Sequence, residues 1–99
     1  MGEFEQLVLL AVIRRDNHAY GMEIREEIER RTGRDVSYGA VYTALRRLGT
    51  KGYVVHEMGA PSAERGGRAK KYFSVLPAGR HALRETRAAL DTMWEGAPV

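Results

Sequence analysis

Only two stretches of this 99-residue chain read as β-strands, and that shortage constrains the fold more than any other feature. One is the β-branched and aromatic run Tyr53-Val54-Val55-His56-Glu57, the other runs from Lys70 to Leu76. Two strands do not make a sheet that stands alone in water, so the hairpin must lean on helices and share their core. The helices are legible from their period. Phe4, Leu7, Val8, Ala11 and Val12 fall at helical spacings, and Leu9, Leu10 and Ile13 widen the apolar surface, so a first helix over residues 3 to 15 is expected to be buried on more than one side. Asp16-Asn17 supplies turn chemistry. A second helix is expected from about Ala19, with Tyr20, Ile24 and Ile28 four apart, with Glu23, Glu26, Glu27, Arg30 and Arg31 facing water, and with Gly33 as its C-terminal cap.

After a short extended link, Arg34-Asp35-Val36, the hydroxyl of Ser37 stands where it can cap a third helix. That helix, Tyr38 to about Lys51, turns Val41, Leu45 and Leu48 inward and stops at Gly52. Gly59 to Ala69, with Pro61, Gly66 and Gly67, is expected to be a long hairpin loop. Pro77 suits the first turn of a last helix, in which Leu83, Thr86, Leu90 and Met93 recur at spacings of three and four before Trp94. Helix, helix, helix, strand, basic loop, strand, helix is the order of an α+β winged helix-turn-helix. In that arrangement the third helix lies in the DNA major groove and the hairpin loop, the wing, reaches the neighbouring backbone or minor groove. Residues 1–76 are expected to form the DNA-binding unit and residues 77–99 a dimerisation helix, together one compact unit of ordinary single-domain size.

Charge follows the same division. Sixteen Lys and Arg against thirteen Asp and Glu leave only +3 overall, yet residues 36 to 71 hold seven basic and two acidic side chains. With Val41, Leu45 and Leu48 inward, the outer face of the third helix carries Tyr38, Gly39, Tyr42, Thr43, Arg46 and Arg47. Guanidiniums bind guanine or phosphate, hydroxyls bond backbone oxygens, and Gly39 lets a phosphate approach the free amides at the helix start beside Ser37. The competing reading has the tyrosines packing against the wing and the arginines pairing with glutamates of the second helix. In the wing, Arg65, Arg68, Lys70 and Lys71 surround Gly66-Gly67 against the single acid Glu64, a concentration that suits phosphate contact.

Other classes fit less well. The chain has no cysteine, which removes disulfides, thiolate nucleophiles and cysteine-based metal sites. His18, His56 and His81 lie in different elements with no acid spacing of a triad or metal site, so neither catalysis nor a cofactor or metal is expected. The longest apolar run, Leu7 to Ile13, is seven residues, and Met1-Gly2-Glu3 lacks the cationic start of a signal peptide, so the expected location is cytoplasmic. A winged helix that binds other proteins without DNA is the remaining alternative, and it has little need for the cationic, hydroxyl-bearing face of the third helix.

Four segments carry a resemblance. Glu5-Gln6-Leu7-Val8-Leu9-Leu10, His18-Ala19-Tyr20-Gly21-Met22-Glu23-Ile24, Ser37-Tyr38-Gly39-Ala40-Val41-Tyr42-Thr43-Ala44-Leu45 and Gly67-Arg68-Ala69-Lys70-Lys71-Tyr72-Phe73-Ser74-Val75 together resemble the PadR family of bacterial transcriptional regulators. The resemblance spans nearly the whole chain and implies a homodimer, usually a repressor, joined through its first and last helices, so that Phe4, Leu7, Leu83, Thr86, Leu90, Met93 and Trp94 are expected at the interface. It further implies that Tyr42 meets operator DNA and that Lys70 and Lys71 are the basic wing positions. By the same likeness Trp94 stacks a planar aromatic effector between subunits; as an apolar pair at a helix end, Met93 and Trp94 alternatively seal the dimer by packing alone.

Overall fold

The computed structural model describes residues 1–59 and 69–99. Its elements follow the expected order: α1 (Glu3–Arg14), α2 (Gly21–Thr32), α3 (Tyr38–Thr50), β1 (Val54–Met58), β2 (Lys71–Val75) and α4 (Pro77–Trp94). This is a winged helix-turn-helix with a C-terminal helix. The helix boundaries follow from local chemistry. Asp16 and Asn17 both take left-handed backbone, which Asn and Asp tolerate better than other side-chain-bearing residues, and they end α1 abruptly. Gly33 closes α2 at φ 71°, and the Ser37 hydroxyl accepts from the Ala40 N–H at 3.1 Å to open α3.

One core joins all these elements. Val8, Leu9 and Val12 of α1 pack with Ile24 and Ile28 of α2 and with Val41, Leu45 and Leu48 of α3, and Val54, Phe73 and Val75 close it from the hairpin. Strands β1 and β2 pair antiparallel, with Val54 opposite Val75 and His56 opposite Phe73. The inner face of the hairpin is therefore Val54, His56, Phe73 and Val75, and the outer face Val55, Glu57, Tyr72 and Ser74.

Two expectations need correction here. The second helix does not begin near Ala19: that residue forms a β-bridge with Phe73, exchanging both backbone bonds at 2.8 and 3.2 Å, and α2 starts only at Gly21. The free edge of β2 thereby gains a partner, and the Asn17 side chain extends it by donating to Val75 O at 3.2 Å and accepting from Val75 N at 2.7 Å. Glu27 does not face water but is 2% exposed. It sits three residues after the buried Ile24, and Arg14, Arg15 and Arg30 close on its carboxylate at 3.2, 2.9 and 2.9 Å.

The last helix is anchored at its start. Gly79 lies so close to Tyr53 that a Cβ there would stand 2.6 Å from the Tyr53 carbonyl oxygen, and Leu83 is the final buried residue of α4. Beyond it the helix runs on with Leu90 half-exposed, Trp94 60% exposed and Met93 76% exposed. Among the described residues no helix is long and apolar enough to cross a membrane.

Candidate nucleic-acid interface

The inward stripe of α3 decides what its other face presents. With Val41, Ala44, Leu45 and Leu48 buried, Tyr38, Gly39, Thr43, Arg46 and Arg47 are exposed and Tyr42 is half-buried. The two tyrosines lean together, ring centroids 4.9 Å apart and inclined at 59°. Hydrogen bonding to the Tyr42 phenol, with help from burial, pushes the Tyr38 pKa up to about 12. Gly21 is their seat. A Cβ at that position would meet the Tyr38 ring and hydroxyl at 3.1 Å and the Tyr42 ring at 3.2 Å.

The competing reading of this face, in which its arginines pair with glutamates of α2, is not what the structure shows. Among the described residues no carboxylate lies within ion-pair distance of Arg46 or Arg47. The acids of α1 and α2 are engaged elsewhere: Glu27 with three arginines, Glu29 with Arg25, Glu3 with Arg34, and Glu5 with Lys51 at 3.1 Å. Among the described residues Lys51 alone of the α3 region's cations is neutralised in this way.

Between α3 and the inner face of the hairpin runs an open groove of about 630 Å³. Tyr42, Arg46, Thr50, His56 and Lys71 stand around an apolar floor of Leu45, Val54 and Phe73, and no carboxylate among the described residues lines it. The structure thus brings Tyr42, Arg46 and Lys71 together across two elements, while Thr43 and Arg47 open onto a neighbouring depression beside the start of α1. Thr50 and His56 also line the groove, though neither spacing nor charge along the chain singles them out; His56 is placed there only by the register opposite Phe73. Lys70 is exposed, its Nζ 4.4 Å from the centre of the Tyr20 ring. Arg65 and Arg68 lie outside the described residues.

The expected interface residues divide in two. Phe4 and Leu7 are partly buried against the core and Leu83 belongs to it, whereas Leu90, Met93 and Trp94 are uncovered and Thr86 is intermediate. A second groove, about 610 Å³, separates α1 from α4 and is lined by Leu10, Ile13, Leu83, Leu90 and Trp94 with Arg80 and Arg84 at its rim. The histidines remain apart: His18 stacks on Tyr72, His56 tilts against Phe73, and His81 lies 3.1 Å from Glu85. Among the described residues no three His, Asp or Glu side chains are grouped to hold a metal ion.

A model of the transcriptional regulator PadR-like family matches residues 9–85. A transcriptional regulator of Mycobacterium tuberculosis is 37% identical over 78 residues, which are 79% of this chain and 68% of that protein. Among solved structures, a PadR family transcription regulator from Clostridium difficile superposes with a TM-score of 0.76 at 20% identity, over 95% of this chain and 93% of the other. Bacillus subtilis PadR, solved in complex with operator DNA, superposes with a TM-score of 0.71 at 16% identity, over all of this chain and 51% of the other. These two likenesses are of fold.

Proposed function

The chain belongs to the PadR-like family of transcriptional regulators, DNA-binding proteins rather than enzymes, and on that footing we propose that it is a homodimeric repressor that recognises a specific operator and is released by a small-molecule effector. The observation that carries the DNA reading is the face of α3, where Arg46 and Arg47 have no ion-pair partner among the described residues: Arg46 opens onto a groove without a carboxylate among its described lining, and Arg47 onto a depression whose two acids, Glu3 and Glu5, are held by Arg34 and Lys51. Arg46 and Thr43 read base edges, Tyr42 donates to an acceptor on the DNA, and Arg47 grips phosphate. Ser37, Tyr38 and Gly39 admit a phosphate to the amides opening α3. Lys70 and Lys71, with Arg65 and Arg68 of the wing, hold the neighbouring backbone.

The dimer reading rests on α4. Leu90, Met93 and Trp94 are large apolar side chains at helical spacing that nothing in the protomer covers, and a second copy supplies the same surface by two-fold symmetry, with Phe4, Leu7, Leu83 and Thr86 at its margin. Two copies of α3 then enter successive major grooves about 34 Å apart on an inverted repeat. A planar aromatic effector stacked on Trp94 between subunits needs only to favour a wrongly spaced dimer. A preference of about 1 to 3 kcal/mol changes operator affinity roughly 5- to 150-fold.

The test is selection of duplexes from a random library by the purified protein, followed by titration of the selected duplex at two salt concentrations. With about three to five phosphates neutralised per protomer, the log–log salt slope of a dimer is expected between roughly −5 and −9. Tyr42→Ala and Arg46→Ala should each weaken binding roughly 5- to 150-fold, on the order of 1–3 kcal/mol per lost contact. A flat salt response, or no enriched sequence, refutes operator recognition.

A further inference from the structure

One junction between the wing and α3 is left unused by these roles, and Tyr20 stands at its centre. Tyr20 is the N-cap residue of α2, and its backbone N–H donates to Glu23 Oε1 at 3.1 Å. Two side chains from the wing stem meet its half-buried ring. Tyr72 stands edge-on to it, centroids 5.6 Å apart at 79°, and Lys70 holds its ammonium 4.4 Å from the ring centre. Tyr72 is in turn fixed from behind, stacked on His18 at 4.4 Å with the planes 4° from parallel. The next residue along the chain, Gly21, is the seat of the Tyr38–Tyr42 pair. Residues 20 and 21 therefore touch the wing with one side chain and admit the recognition helix with the lack of another.

We propose that Tyr20 is a positioning residue for DNA recognition: its ring holds the Lys70 ammonium ready for a DNA phosphate, at a fixed place relative to the recognition helix seated on Gly21. The inference rests on the reading of Lys70 as a backbone contact. A lysine free in water surrenders much of its rotamer freedom when it meets a phosphate, and one already held over an aromatic face surrenders less. The ring face occupies one side of the ammonium and leaves N–H donors on the other for phosphate oxygens. Tyr20 itself need not touch DNA.

The experiment compares wild type, Tyr20→Leu, Lys70→Ala and the double variant on the duplex that the wild type selects, at one fixed salt concentration. Tyr20→Leu keeps bulk and removes the π face, and should weaken binding about two- to fivefold, the size of an exposed cation–π contact. In the Lys70→Ala background the same change should cost almost nothing further, whereas a general structural role for Tyr20 costs the same in both backgrounds. Tyr20→Phe keeps the face and should bind like wild type. A measurement on the unsubstituted protein guards against misfolding of the leucine variant: the Lys70 Hε protons should resonate upfield through the Tyr20 ring current. Normal shifts for those protons, or additive losses in the two backgrounds, overturn the inference and leave operator recognition standing. If Lys70→Ala binds as tightly as wild type, Lys70 is not a phosphate contact and both statements fall together.

Discussion

Replacing Glu27 with Gln is the substitution whose cost the structure sets most directly. The carboxylate is 2% exposed and accepts from Arg14 and Arg15 of α1 and from Arg30 of its own helix. Hydrogen bonds from Arg15 and Arg30, opposed by burial, hold its pKa down from 4.5 to about 2. Undamped, such a shift corresponds to about 3 kcal/mol of folding free energy, and solvent around the 68% exposed Arg30 side chain reduces that to roughly 2 kcal/mol. A folded-state pKa below the unfolded one fixes the direction. The contribution is complete above pH 4.5 and is lost as pH falls toward 2.

Glutamine keeps the shape but carries no charge, and its amide turns one acceptor into a donor aimed at guanidiniums. At pH 7 Glu27→Gln should therefore destabilise the protein by about 2–4 kcal/mol, since breaking a buried pair leaves uncompensated charge behind. Urea unfolding of both proteins, followed by circular dichroism at several values between pH 7 and pH 2, gives two stability curves. The gap between them should close by about 2 kcal/mol on acidification, because a protonated Glu27 no longer differs from Gln in charge. A gap that stays constant with pH refutes the electrostatic account and leaves only shape. Equal stability at pH 7 refutes the cluster's importance altogether.

Three further outcomes are expected. Asn17→Ala removes both side-chain bonds to Val75 and puts alanine at φ 55°, so it should cost about 2–3 kcal/mol and lower the melting temperature by roughly 10 °C or more in calorimetry. Gly21→Ala adds a Cβ only 3.1 Å from Tyr38 and 3.2 Å from Tyr42; affinity for the selected duplex should fall severalfold in an anisotropy titration while thermal stability changes by less than about 1 kcal/mol, alanine being the better helix former. Leu90→Glu paired with Met93→Glu puts charge on a surface already exposed in the protomer, so where sedimentation is expected to show a dimer for the wild type it should show a folded monomer for the variant, and DNA affinity should drop with it.

What the chain discloses of its fold is what short-range chemistry determines. The stripes of α1 and α3, the Ser37 cap, the left-handed Gly33 and the opening Pro77 each depend on residues within one or two turns, and they stand where period and capping put them. Glu27 and Ala19 were hidden for the opposite reason. A glutamate three residues past Ile24 lies on the inward stripe by spacing and on the outward one by chemistry, and only the arrival of Arg14 and Arg15 from another helix decides between them. Ala19 carries no strand signal, and its bridge exists because β2 brings Phe73 alongside.

The charge map shows the same boundary. A surplus of +5 between residues 36 and 71 can be counted along the chain, but a count does not tell which cations have partners. In three dimensions Lys51 leaves the sum by pairing with Glu5, and the remaining acids of α1 and α2 are matched largely by arginines of the helix-turn-helix frame itself. Arg46 and Arg47 gain their significance from that arrangement more than from the surplus. Glu3 and Glu5, which share a depression with Arg47, are already held by Arg34 and Lys51, and no described carboxylate lines the groove at Arg46, so a polyanion meets these guanidiniums without first displacing an internal partner among the described residues.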